Sequence, residues 1–135
     1  MAQHLAHIAL LVKDYDEALS FYVNKLGFIL IEDTQISETK RWVLIAPPGN
    51  GGCNLLLAKA VGSEQLNCVG NQSGGRVFLF LHTDDFENDY QNLLHHNINI
   101  VRQPVQQAYG TVLVFSDLYG NLWDLIGVSF AIQLQ

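Results

Sequence analysis

HIALLVKDYDEALSFYVNKLGFILIE, residues 7–32, holds the pattern that decides the fold. A short apolar run, HIALLV, leads to Asp14 with Glu17 three residues on, the arrangement of a helix N-cap and the first-turn acid that answers it. Tyr15, Ala18, Leu19, Tyr22, Val23 and Leu26 then recur at helical spacing, which predicts one buried stripe, and Gly27 ends the helix. FILIE resumes as a strand. Residues 77–102, VFLFLHTDDFENDYQNLLHHNINIVR, repeat the design. Asp84 or Asp85 is the cap, Glu87 and Asn88 fill the first turn, Phe86, Tyr90, Leu93 and Leu94 form the stripe, and Asn97 stands in the place of Gly27.

Outward from these two stretches, each copy continues into a hairpin. The first reads RWVLIAP, a turn at PPGNGG, and CNLLLAKA; the second reads YGTVLVF, a turn at DLYG, and NLWDLIG. The order is βαβββ twice, an internal repeat. The predicted fold is α+β: two βαβββ repeats forming a curved, mostly antiparallel half-barrel sheet around a central cavity, with helices outside. Residues 1–135 are read as a single domain, with repeat 1 over 5–60, a linker over 61–75, repeat 2 over 76–128 and a tail over 129–135. The linker lacks apolar periodicity. Its glycines have neither the Lys-Ser/Thr ending nor the following helix of a phosphate cradle, so it is read as a loop.

Apolar residues make up 49% of the chain and charged residues 15%, enough apolar surface for one core with a ligand pocket and too little charge for a disordered chain. The net charge of −6, with seven Lys and Arg placed singly, argues against nucleic acid and anionic membranes as partners and leaves small molecules or proteins. MAQHLAHIALLV carries no positive charge before its short apolar stretch, and no run approaches the roughly 18 residues of a membrane span, so a cytoplasmic location is expected. Cys53 and Cys68 are not spaced as a metal pair and are read as reduced thiols. Without G-x-S-x-G, H-E-x-x-H or G-x-G-x-x-G, and with no cation beside Cys53, nucleophilic catalysis is not indicated.

Strand side chains alternate between faces, so His7, Ala9 and Leu11 share one, and Leu122, Asp124 and Ile126 share one in the last strand. The repeat matches His7 to Phe78, and Asp124 to Leu56 through the turn glycines Gly120 and Gly52. The neighbours Ala9, Leu11, Leu56, Ala58, Phe78 and Phe80 are apolar, the composition of a ligand pocket and equally of a filled core.

HIALLV leading into an Asp-capped helix that ends in LGF, together with the closing DLYGNLWDLIG, resembles the vicinal oxygen chelate superfamily of glyoxalases, bleomycin-resistance proteins and extradiol dioxygenases. The resemblance covers nearly the whole chain. It implies that metal-binding members place a His or carboxylate at most or all of the four matched positions. Here His7 and Asp124 retain donors suited to zinc, nickel, iron or manganese, while Leu56 and Phe78 have none. Two functions stand open. One is a protein that binds a small organic ligand in an apolar cavity without metal. The other is a metal-dependent lyase, isomerase or dioxygenase with His7 and Asp124 as catalytic residues and metal ligands. A structural hydrogen bond between His7 and Asp124 is a third account of the pair.

Further ligand-binding candidates are Leu56, Phe78, Phe80 and His82 by strand parity. Arg41 would grip an anionic group and Trp42 would stack on a ring, with the inward-facing one of the two left open; Tyr109 would offer a phenol. His95 and His96 are explained by the helix dipole. The resemblance also implies a homodimer, for which an edge strand is available.

Overall fold

A computed structural model describes residues 1–49 and 51–128, which form two compact units, Met1–Val69 and the chain from Gly70 onward. The tail expected over 129–135 lies outside the described residues. The boundary between the units falls inside the stretch read as a linker.

The first unit runs β1 (His7–Val12), α1 (Tyr15–Leu19, continuing as a π-helical turn over Ser20–Lys25), β2 (Ile29–Gln35), β3 (Arg41–Ala46), β4 (Asn54–Lys59) and α2 (Gly62–Cys68). The second runs β5 (Val77–Thr83), α3 (Phe86–His95), β6 (Ile100–Gln107), β7 (Gly110–Ser116) and β8 (Leu122–Val128). Each unit holds one four-stranded sheet, in the orders β1-β4-β3-β2 and β5-β8-β7-β6. In both, the first strand lies parallel to the last and the other pairings are antiparallel. This is the α+β fold with βαβββ twice that the sequence predicts. No helix among the described residues is long and apolar enough to cross a membrane.

The caps form as expected. The Glu17 backbone N–H donates to the Asp14 carboxylate at 2.8 Å, an interaction of about 1 kcal/mol in such positions. In α3 the cap is Asp85, which accepts from the Asn88 N–H at 3.4 Å. Gly27 (φ 90°) and Asn97 (φ 55°) both take the left-handed conformation that ends their helices.

The buried stripe of the first helix departs from strict helical spacing. The Leu26 N–H donates to the Phe21 carbonyl five residues back, at 2.9 Å, so the turn holds one extra residue and brings Phe21 inward beside Tyr22. Their rings meet edge to face at 5.0 Å, and Tyr22 lies 5.6 Å from the Phe28 ring. Tyr15, Ala18, Phe21 and Tyr22 are buried, as are Leu10, Val12, Val43, Ile45, Leu55 and Leu57 on one face of the sheet, with α1 packed on β4. In the second unit Leu93 of α3 is buried together with Leu113, Phe115, Trp123 and Leu125 of the sheet. Phe115 and Trp123 are cross-strand neighbours with near-parallel rings 5.9 Å apart.

The reading of 61–75 as loop needs correction, because Gly62–Cys68 is helical. The helix escapes a periodicity argument because all seven of its residues are exposed, leaving no apolar stripe to detect. Its start is tied by the Val61 N–H, which donates to Gln65 Oε1 at 2.8 Å. Cys53 and Cys68 are free thiols.

After this helix the chain passes under the β7–β8 turn. There the Asp117 carboxylate accepts from the N–H groups of Tyr119 and Asn121 at 2.9 Å each, and from the Asn121 amide at 2.8 Å. Gly70 (φ 80°) runs so close that a Cβ on it would stand 1.9 Å from the Tyr119 carbonyl oxygen. Gly74 (φ 69°) has nothing within 4 Å of that position. Gly74→Ala is therefore expected to cost only left-handed strain, about 1 kcal/mol. Gly70→Ala adds a backbone clash and is expected to cost about 3 kcal/mol or more. Urea unfolding of the two variants compares them directly, and equal midpoints would contradict the close approach.

Candidate functional site

Helix packing uses one face of each sheet, and the other face carries several of the predicted site residues. In the first unit, β1–β4 pairing sets His7 opposite Asn54, Ala9 opposite Leu56 and Leu11 opposite Ala58. Leu44 of β3 stands opposite Leu56, so by alternation Trp42 joins this face while Arg41 joins the helix side with Val43 and Ile45. The two side chains therefore leave the strand on opposite faces, and both reach the cavity at the start of this strand. Trp42 faces with Leu56 and Ala58, and its ring meets the His7 imidazole edge-on, with centroids 6.1 Å apart and an interplanar angle of 76°.

Arg41 does not stand free at a rim. Its Nη2 and Nε bond to the Asp33 carboxylate at 2.7 and 3.1 Å, its Nη1 bonds to Asp16 at 2.9 Å, and its guanidinium lies 5.1 Å above the Tyr15 ring. The hydrogen bond from Arg41 holds the Asp33 carboxyl below the usual carboxylate range, outweighing its partial burial. The guanidinium is thus bound on both edges and bridges α1, β2 and β3.

Where β4 ends and β3 begins, the first unit holds a cavity of about 510 Å³. Trp42, Leu56 and Ala58 supply its wall from the open face, Tyr15 and Leu57 from the helix side, Ser37, Thr39 and Lys40 from the β2–β3 hairpin, and Lys59, Val61 and Gln65 from the end of β4 and α2. Leu56, Arg41 and Trp42 were anticipated at a site; Tyr15, Ser37, Lys40, Lys59 and Gln65 were not. Ser37, Lys40 and Gln65 come from a hairpin loop and a fully exposed short helix, which carry no periodic signal, while Tyr15 and Lys59 belong to a helix and a strand whose spacing says nothing of a cavity at their ends.

In the second unit Phe80 lies opposite Asp124, and Asp124 opposite Val114, whose other neighbour across the sheet is Arg102. His82 is opposite Ile126 and exposed, and Phe80 is 64% exposed. Burial pushes the Asp124 carboxyl above its usual range, and the positive charge of Arg102 opposes part of that shift. Phe78 sits at a register shift between Val77 and Leu79, so it has no direct partner on β8. Tyr109 is exposed in the β6–β7 turn. The structure thus groups His7 with Trp42 and Leu56 in the first unit, and Phe80 with Asp124 in the second.

Within each unit only one of the two matched positions carries a donor for a divalent metal. Leu56 offers no lone pair beside Ala9, Phe78 offers none at the bulge, and Asp124 already feels a cation in Arg102. Among the described residues no three His, Cys, Asp or Glu side chains come together, whereas catalytic metal sites ordinarily use three protein ligands.

Comparison with known proteins gives the family context. The model of the Glyoxalase/Bleomycin resistance protein/Dioxygenase superfamily matches residues 4–125. An uncharacterised protein of Shewanella frigidimarina (strain NCIMB 400) is 61% identical over 127 residues, 93% of this chain and 94% of that one. Among solved structures, UcmS2 matches with a TM-score of 0.80 at 28% identity, over 93% of this chain and 98% of that chain. TnmS3, an antibiotic binding protein from Streptomyces sp. CB03234, matches with a TM-score of 0.76 at 28% identity, over 95% and 98%.

The two shifted carboxyls have opposite consequences for stability. Asp124 binds its proton more tightly folded than unfolded, so its contribution falls as pH rises above the ordinary carboxylate value. Asp124→Asn is expected to raise the urea midpoint at neutral pH, with the gain fading near pH ~4. Asp33 binds its proton less tightly folded, so Asp33→Asn is expected to lower the midpoint at neutral pH and to matter less in acid. Effects independent of pH in both variants would remove protonation as the cause.

Proposed function

Because this chain belongs to the glyoxalase/bleomycin resistance protein/dioxygenase superfamily, we propose that it binds a small organic molecule in the cavity beside Trp42 and Leu56 and holds it without a metal. The observation that carries the reading is the wall itself. About 510 Å³ lies within the range of small-molecule sites, and an indole, Leu56 and Ala58 line it together with a few polar groups, the composition by which such sites combine affinity with orientation. Support also comes from TnmS3, which is described as an antibiotic binding protein and shares 28% identity over nearly the full length.

The rival is a metal-dependent lyase, isomerase or dioxygenase in which His7 and Asp124 ligate zinc, nickel, iron or manganese, or act as base and orienter. The chemistry of the donors speaks against it, since Leu56 and Phe78 occupy the positions that would complete the set. The proposal includes a single working domain, a cytoplasmic location and a homodimer. The dimer draws on β2, an edge strand of its sheet on which Ile29, Leu30 and Ile31 are 50, 43 and 52% exposed.

Thermal unfolding with a panel of planar aromatic antibiotics separates the two functions. A binder present at a hundred times its Kd adds about 2.7 kcal/mol to stability. The expected result is a rise in Tm that is the same with and without EDTA and is lost in Leu56→Arg. A rise abolished by EDTA favours the metal-dependent rival, and no rise with any compound overturns the proposal. Light scattering tests the dimer, which a monomeric mass at working concentration would exclude.

A further inference from the structure

We infer that the molecule held in this cavity is an aromatic acid, its anionic group between Lys40 and Lys59 and its ring against Trp42; the inference rests on the cavity being the ligand site. The chain carries 13 Asp and Glu against seven Lys and Arg, yet Lys40, Arg41 and Lys59 all line this one cavity and no Asp or Glu does. Such local reversal of sign marks a surface that attracts an anion. Arg41 is already neutralised by Asp16 and Asp33. Lys40 and Lys59 make no ion pair among the described residues, so two positive charges remain uncompensated on the wall. Glu38 and Glu64, acids close in sequence, are exposed and stand off it.

The neutral polar groups point to the same chemistry. Tyr15 Oη accepts from the Arg41 N–H at 3.2 Å. Ser37 Oγ accepts from the N–H groups of Thr39 and Lys40 at 3.3 and 3.1 Å. Gln65 Oε1 accepts from the Val61 N–H. In each case the backbone takes an acceptor and leaves protons to donate: the phenol O–H, the serine O–H and the glutamine NH₂. With two ammonium groups added, the wall offers mainly donors, and the complement of a donor wall is a carboxylate, sulfonate or phosphate. Trp42, Leu56 and Ala58 line the same cavity and supply the apolar part.

A matched pair of dyes tests this: anilinonaphthalene sulfonate, which is anionic, and phenylnaphthylamine, the same ring system without the sulfonate. Fluorescence titration of the full chain at low ionic strength is expected to give about tenfold tighter binding of the sulfonate. In Lys40→Met/Lys59→Met that preference should fall to near parity while the neutral dye binds within about twofold of before. The control Lys13→Met/Lys25→Met, whose residues lie off the wall, should keep the preference. Equal binding of the two dyes to the unaltered protein overturns the inference and leaves the cavity as a site. So does a preference that survives loss of both wall lysines, or one that falls equally in the control. Binding of neither dye overturns both the inference and the proposal it rests on.

Discussion

In each unit the first strand lies parallel to the last, β1 on β4 and β5 on β8, and parallel neighbours require a crossover of a dozen or more residues between them. Here the crossover is a helix followed by two antiparallel strands. The helix must cover one face of the sheet, and that assigns a destination to every alternate side chain. Leu10, Val12, Leu55 and Leu57 go under α1, while Ala9, Leu11, Leu56 and Ala58 go to the open face. The pair Ala9–Leu56 in one unit and the pair Phe80–Asp124 in the other occupy the same place in this scheme. A sheet face not covered by the helix is therefore built into the topology before any particular residue is chosen.

The second organising element is the guanidinium of Arg41. An exposed ion pair by itself contributes roughly 0–1 kcal/mol, and these carboxylates are partly solvated. Geometry is what the cluster supplies: a two-point grip on Asp33 across β2, a third bond to Asp16 of α1, and the Tyr15 ring beneath. Together with the Ser37 hydroxyl, which accepts from two backbone N–H groups, it holds the β2–β3 hairpin in one arrangement. A wall shaped in advance reduces the conformational entropy lost when a ligand enters. Arg41 thus serves the cavity by shaping it, and the lysines beside it stay uncommitted.

Much of this was legible in the sequence because strands and helices have periods. Strand alternation placed His7, Leu56 and Asp124 on open faces, and the caps at Asp14 and Asp85 marked where helices begin. Illegibility began where period stops being informative. Phe21 was missed because a π-turn inserts a residue into the helical count. The α2 helix was missed because it buries none of its residues. Arg41 and Trp42 could not be sorted at a strand's first residues without the register against β4, and Ser37, Lys40 and Gln65 of the polar wall come from a hairpin and that same α2, where spacing carries no code.

The bulge at Phe78 separates two units that otherwise copy one another. His7 has a partner directly across from it, Asn54, whereas Phe78 falls between the pairs Val77–Leu122 and Leu79–Trp123. An added residue in a strand re-aims the side chain that carries it. Divergence of the two halves has therefore altered the backbone as well as the residue upon it. Position 78 is no longer the geometric twin of position 7, and a histidine installed there would inherit the place in the alignment without the place in space.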